Sequence, residues 1–338
     1  MEVKRTSIKD IAERLGVSTA TVSLVLNNRA ENGRVSKEMI EKIKHTAKEM
    51  NYHPNTLARS LQSGRSQTIG LIVADISNSF FGELALHVQK EAEKFGYAVV
   101  IANTNENVVK MEAMIDVLKS RQVDGYIIVP AENGEKSVLS LVEKNIPVVL
   151  VDRYFPAIQV SNVGVENYDA AYKSTRFLVN KGCRNVALFV YKSNLSNMVE
   201  RKEGYIAALK EDDLFSPDFI CEVNYETLAE DIDIYVKKLL AENTVDGIFF
   251  STNSISVIGI QVLLKYGVKI QEQIKVVCFD KDDAYDFMKK SIAYVKQPIA
   301  TMGCKAVDIL LDQIALQGIT EGSKTCKLSA DLITDFIH

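Results

Sequence analysis

What this chain lacks narrows its chemistry first. Its 338 residues include no run of about 18 apolar residues, the length a helix needs to cross a bilayer, so no membrane span is expected. The opening "MEVKRTSIKD" is charged with no apolar core behind it, unlike a secretory leader. There are only four histidines, His45, His53, His87 and His338, and no pair has metal-ligand spacing. The five cysteines, Cys183, Cys221, Cys278, Cys304 and Cys326, are odd in number and lack disulfide or metal spacing. They read as free thiols in a reducing compartment. No G-x-G-x-x-G or Walker loop follows a strand, and neither G-x-S-x-G nor a Cys–His arrangement occurs. The expectation is a cytoplasmic chain without cofactor or metal that is not an enzyme.

What is present divides in two. Residues 1–66 hold twelve Lys or Arg against seven Asp or Glu, a net of +5, and residues 67–338 hold 28 against 37, a net of −9. A basic head on an acidic body implies that only the head meets a polyanion.

In the head, "SIKDIAERLG" puts Ile8, Ile11, Ala12 and Leu15 on one helical face. Ser7 and Asp10 form an acidic near-match to a capping box, and Gly16 stops the helix. Ser18 caps a second helix, from which Val22 and Val25 or Leu26 pack inward. A third helix is predicted from Ser36 to Asn51, with Met39, Ile40, Ile43, Ala47 and Met50 on its face. Two short helices with a tight turn, braced by a third, make a helix-turn-helix candidate. Thr19, Ala20, Thr21 and Ser23 lie near the start of the second helix, where small groups can approach base edges. A helical bundle without nucleic acid is the alternative. Asn55 can cap one or two helical turns ending at Leu61, a piece too short to be stable alone.

The body alternates strand and helix. "TIGLIVADI", "YAVVIAN", "VDGYIIVP" and "IPVVLVD" read as strands separated by helices, the first helix turning Leu84, Val88, Ala92 and Phe95 inward. A similar set follows "SNVGVEN", and "VDGIFFST" nearly repeats "VDGYIIVP". The pattern predicts two α/β lobes, each a mostly parallel sheet covered on both faces, with a cleft between them. "ATMGCKAVDILLDQI" is a further helix, and "KTCKLSADLITDFI" one or two closing strands.

The run "IKDIAERLGVSTATVSLVLNN", followed by "RVSKEMIEKIKHTAKEMNYHPNTLARSL", resembles the DNA-binding headpiece and hinge of the LacI/GalR family of bacterial transcription regulators. The resemblance continues through the body, which is similar to the family's sugar-type effector domain, of periplasmic-binding-protein-like, type I fold. It implies that Thr19 and Ala20 read bases in the major groove. Thr21 and Ser23 match positions for phosphate contact or helix support, and Asn27 lies in the backbone-contact region. Ala58 and Leu61 match a hinge helix that pairs across a dimer in the minor groove, with Asn55 at its start and Arg59 within reach of phosphate. In the body it implies a pocket at "DISNSFF", with Asp75, Asn78, Phe80 and Phe81, one of the phenylalanines serving the core. It adds Asp152 and Arg153 in "VLVDR", Arg201 in "ERKEGY", Asn253, and Asp280 in "VCFDKDD". Each polar residue has an alternative role as a helix cap or interlobe hydrogen bond.

Three positions depart from the family pattern. Leu24 stands where many relatives carry a base-contacting Arg or His, Ser254 where Asp is common, and Glu166 where Asp usually precedes Asn. The expected organisation is a helix-turn-helix domain over 1–54, a hinge helix and linker over 55–66, and a two-lobed effector and dimerisation domain over 67–338. The resemblance implies a homodimeric repressor on a near-palindromic operator, controlled by a sugar or sugar phosphate between the lobes. The lack of a terminal heptad helix favours a dimer. The competing readings are a cytoplasmic sugar-binding protein and a sugar-modifying enzyme with a DNA-localising head.

Overall fold

The computed structural model describes residues 6–27, 30, 35–52, 64–242, 244–288, 292–319 and 322–334. Asn55, Ala58, Arg59 and Leu61 lie outside the described residues. Two compact units emerge, Met1–Ser66 and Gln67–His338.

In the first unit, α1 (Ile8–Leu15) opens on a complete capping box: the Ser7 side chain accepts from Asp10 N–H while the Asp10 carboxylate accepts from Ser7 N–H. Gly16 ends the helix in the left-handed region, at φ 63°. Ser18 caps α2 (Thr19–Leu26) by accepting from Thr21 N–H, and Ser36 caps α3 (Lys37–Glu49) by accepting from Met39 N–H. Ile11, Ala12, Val22, Val25, Ile43 and Ala47 close a small core between the three helices. Of the two candidates at the end of α2, Val25 is buried and Leu26 only half-buried.

The second unit is built from two six-stranded sheets. The first contains β1 (Thr68–Val73), β2 (Ala98–Asn103), β3 (Gly125–Ile128), β4 (Val148–Val151), β5 (Ser161–Val165) and, late in the chain, β11 (Thr325–Leu328). Their order is β11-β5-β4-β3-β1-β2, and all are parallel. The second contains β6 (Val186–Tyr191), β7 (Ile220–Val223), β8 (Gly247–Phe250), β9 (Lys275–Phe279), β10 (Ala293–Lys296) and β12 (Asp331–Ile333). Their order is β12-β10-β9-β8-β6-β7, with β12 alone antiparallel. The two orders superimpose strand for strand, so the near-repeats "VDGYIIVP" and "VDGIFFST" become β3 and β8 in equivalent places. Their continuous apolar runs follow from helices on both faces, which leave neither side of the central strands in water.

The helices are α4 (Ser79–Lys94), α5 (Val108–Ser120) and α6 (Glu135–Glu143) in the first lobe, and α7 (Asn167–Asn180), α8 (Ser196–Lys210), α9 (Leu228–Glu242) and α10 (Asn253–Lys265) in the second. A final helix, α11 (Ile299–Ala315), returns to the first lobe and packs on α4. The chain therefore crosses between lobes after β5, after β10 and after β11. On α4, Leu84, Val88 and Ala92 face the core as expected, but Phe95 is 53% exposed. The helix ends at Lys94, so Phe95 takes the C-cap and leaves the apolar face.

Candidate functional site

In the head, α2 presents Thr19 and Ala20 exposed at its first turn. Thr21 is half-buried and its hydroxyl lies 2.9 Å from Ser18 Oγ, within the cap itself. Ser23 Oγ accepts from Asn27 Nδ2 at 3.1 Å, tying the end of α2 to its own preceding turn. Leu24 is half-buried. With no charged side chain in α2, this surface offers small hydroxyl and methyl groups, and phosphate attraction must come from elsewhere in the basic unit.

In the body, the parallel strands deliver their carboxyl ends to the interlobe cleft, where loops leave the sheet free to bind. The cleft has about 880 Å³ of empty space, counted to its open mouth. All nine body residues singled out from the sequence line it. Asp75 follows β1, Asp152 and Arg153 follow β4, Asn253 follows β8, and Asp280 follows β9.

Asp152 and Asp280 occupy equivalent places in the two lobes. Each sits in the left-handed region, at φ 69° and 72°, which aspartate tolerates better than most residues. Each backbone N–H donates to the adjacent strand, to Val163 O at 2.9 Å and Val295 O at 3.0 Å. Burial raises the pKa of both carboxyls, partly offset by nearby arginines, and Asp280 is pushed up to about 6.

The two arginines are held differently. Arg153 donates from Nη1 and Nη2 to the two oxygens of Glu106, both at 2.6 Å, and from Nη1 to Pro130 O at 3.2 Å. Its Nε stands 3.3 Å from Asp152 Oδ2. Burial pulls its pKa down, but Glu106 and Asp152 outweigh that and hold it above the usual guanidinium range. Arg201 lies 3.4 Å from the Phe279 ring centroid. It donates from Nε to Asn167 Oδ1 at 2.9 Å and from Nη1 to Ser251 O at 2.6 Å. Burial lowers its pKa despite Asp152 and Asp280.

The remaining residues combine site and scaffold. Asn78 caps α4 through Oδ1, accepting from Phe80 N–H, while Nδ2 reaches across to Ser254 Oγ at 3.0 Å. Phe80 and Phe81 meet edge to face at 5.0 Å and both belong to the core while bordering the cleft. Asp75 accepts from Ser77 and, from the other lobe, from Tyr225 OH at 3.0 Å. Asn253 donates to Asp282 at 3.1 Å within its own lobe. Asn197 Nδ2 donates to Asp152 across the lobes at 3.0 Å. The helix-cap and interlobe roles therefore coexist with a place on the cleft wall. Glu166, at the N-cap of α7, makes no side-chain capping bond.

Sequence reasoning missed Glu106, Glu132, Tyr191, Lys192, Tyr225 and Gln297, which also line the cleft. The signal was positional. Glu106, Glu132, Tyr225 and Gln297 each follow the carboxyl end of a parallel strand, as Asp75 and Asp280 do. Among the described residues the lining holds the carboxylates of Asp75, Glu106, Glu132, Asp152 and Asp280 against the cations Arg153, Lys192 and Arg201. No group of three or more His, Cys, Asp or Glu placed to hold a metal occurs among them, and no described helix is long and apolar enough to cross a membrane.

Family comparison matches both units. Residues 7–55 match "Bacterial regulatory proteins, lacI family", and residues 66–335 match "Periplasmic binding proteins and sugar binding domain of LacI family". The ribose operon repressor of Halalkalibacterium halodurans is 33% identical, over 91% of this chain and 90% of that protein. The sucrose operon repressor of Pediococcus pentosaceus is 30% identical, over 94% and 95%. The crystal structure of a putative ribose operon repressor from Burkholderia thailandensis aligns at a TM-score of 0.72 and 27% identity, covering 80% of this chain and all of that one. A capped helix-turn-helix followed by two matched lobes around a polar cleft thus has one family behind it: the chain belongs to the LacI family of DNA-binding bacterial regulatory proteins, with a periplasmic-binding-protein-like effector domain.

Proposed function

We propose that this protein is a homodimeric repressor whose two heads read a near-palindromic operator and whose cleft takes a sugar or sugar phosphate that controls operator affinity. The observation that carries the effector reading is the cleft itself. Asp75, Asn78, Asp152, Arg153, Arg201, Asn253 and Asp280 offer directional donors and acceptors, and Phe80 and Phe81 an apolar wall, the combination a polyol needs. The curated relatives with ribose and sucrose in their names support a saccharide. Operator reading rests on Thr19 and Ala20, exposed at the N-terminal end of α2. Thr21, Ser23 and Asn27 support that helix or contact phosphate, and Asn55, Ala58, Arg59 and Leu61 supply the hinge contacts. A two-fold dimer requires matching half-sites, hence the near-palindrome. The protein acts in the cytoplasm, at the nucleoid when bound to DNA.

Leu24 has no donor for guanine and can touch only a thymine methyl or leave its base unread. Its half-site therefore differs from those of Arg-bearing relatives. Selection from randomised duplex DNA at fixed salt, with and without a panel of sugars and sugar phosphates, tests all of this. A palindromic site whose recovery a sugar changes supports the reading. No enrichment in any condition defeats operator recognition, and a half-site identical to that of the Arg-bearing relatives defeats the role given to Leu24.

A further inference from the structure

We infer that the cleft is built for an uncharged, hydroxyl-rich ligand and turns phosphate esters away, with Glu106 as the residue that enforces the choice. This deepens the effector reading above and rests on it.

An arginine recognises phosphate by offering two parallel N–H donors. Arg153 has already spent that fork: Nη1 and Nη2 both face Glu106 at 2.6 Å, with the Arg153 side chain 9% and the Glu106 side chain 19% exposed. A phosphate entering there must displace Glu106 and leave its carboxylate in a poorly solvated wall, the costly way to break a buried ion pair. Arg201 is partly committed as well, with Nε and Nη1 donating to the neutral Asn167 Oδ1 and Ser251 carbonyl, so a phosphate there would not find the whole guanidinium open. The rest of the lining adds repulsion, because five carboxylates face three cations. A dianion would meet like charge in a partly desolvated space, where Coulomb interactions are strong.

The same wall suits hydroxyl groups. Carboxylates only accept, and a sugar hydroxyl can donate to them. Gln297 adds to that wall: it borders the cleft, and its Nε2 donates to Asp280 at 2.7 Å, which holds that carboxylate in place as an acceptor.

The test uses the full-length protein in calorimetric titrations with matched pairs. These are D-ribose and D-ribose 5-phosphate, D-glucose and D-glucose 6-phosphate, and sucrose and sucrose 6-phosphate, with inorganic phosphate as competitor. At least one parent sugar should bind about tenfold or more tighter than its ester, with inorganic phosphate leaving that binding unchanged. An ester that binds tighter than its parent, or displacement of the sugar by inorganic phosphate, overturns the inference while leaving a sugar-type cleft intact. Failure of every parent and every ester overturns the effector reading itself. Glu106→Gln removes one carboxylate charge and frees one arm of the Arg153 fork, since the amide keeps a single acceptor oxygen. It should strengthen binding of the esters by about tenfold, and unchanged ester affinity in a folded variant removes Glu106 from the selection.

Discussion

At the scale of single residues, the cleft holds charge that the fold tolerates at a cost. Asp280 makes the clearest case. Its carboxyl pKa stands at about 6 in the folded protein, above the 3.8 of an ordinary aspartate, chiefly because it is buried. A carboxyl with a raised folded pKa favours the native state most when protonated. Stability is therefore greatest below the unfolded value and falls as pH rises through 6. The shift corresponds to roughly 3 kcal/mol at most between the two ends of that window. Asp280→Asn keeps the acceptor for Gln297 and the tolerance for φ 72°, but loses the titration. Its melting temperature should exceed that of the parent at pH 7.5, with the gap closing toward pH 5. A constant gap across that range would show that Asp280 does not titrate there. Arg201→Ala should act the other way. It strips Asn167 Oδ1 and Ser251 O of their donor and empties the face of Phe279, so a stability loss of about 2–4 kcal/mol is expected in chemical denaturation. Sugar binding should be lost with it, and wild-type affinity in this variant would take Arg201 out of the site. Asp280 was legible because it stands just past the apolar strand β9, and Arg201, inside α8, through the motif "ERKEGY" that carries the resemblance. Glu106 was hidden because its significance lies in its partner Arg153, 47 positions away.

At the scale of elements, strands and caps were readable and assembly was not. Ser7, Gly16, Ser18 and Ser36 act through bonds to residues three or four positions away, so local sequence carries their role. The two closing strands are different. β11 joins the first sheet and β12 the second, although only two residues separate them. Nothing in "KTCKLSADLITDFI" marks that division, because the partners β5 and β10 are set by tertiary packing. The return of α11 to the first lobe was unreadable for the same reason. Helix crossing supplies a prediction at this scale. Gly204 lies in α8 where that helix crosses α7, and a methyl group there would run into the Tyr168 carbonyl and crowd Tyr172 N–H. Gly→Ala normally favours a helix by about 1 kcal/mol. Here the obstacle is backbone, which cannot swing aside, so overpacking of about 1–3 kcal/mol should win. Gly204→Ala is expected to lower the unfolding midpoint in urea, and an unchanged or raised midpoint would mean that the α7–α8 pair can separate without loss.

At the scale of the molecule, the lobes are joined by three backbone crossings and by side chains that meet over the cleft. Tyr225 OH donates to Asp75, Asn78 to Ser254, and Ser193 Oγ and Asn194 N–H to Glu132. These bonds exist only while the lobes are close, so they bias the lobe angle. A ligand shifts operator affinity only as far as its affinities for the two lobe arrangements differ. Linkage then fixes a quantity that needs no knowledge of which arrangement binds DNA. If the effector changes operator affinity by some factor, typically about 5–150, the operator changes effector affinity by the same factor. Tyr225→Phe removes one cross-lobe bond to a carboxylate that is also exposed to water, worth about 0.5–1.5 kcal/mol. Effector affinity should fall about threefold to tenfold in this variant, since closure around the ligand is less favoured. Operator affinity without effector should move in the direction opposite to that in which effector moves the wild type. Fluorescence anisotropy on labelled operator, with and without saturating sugar, gives one factor, and calorimetric titration of sugar into free and operator-bound protein gives the other. Equal factors in both proteins, with the Tyr225→Phe shift of the predicted sign, would establish the lobe angle as the shared variable. An operator affinity that responds to sugar but not to loss of the Tyr225–Asp75 bond would place the switch elsewhere in the molecule.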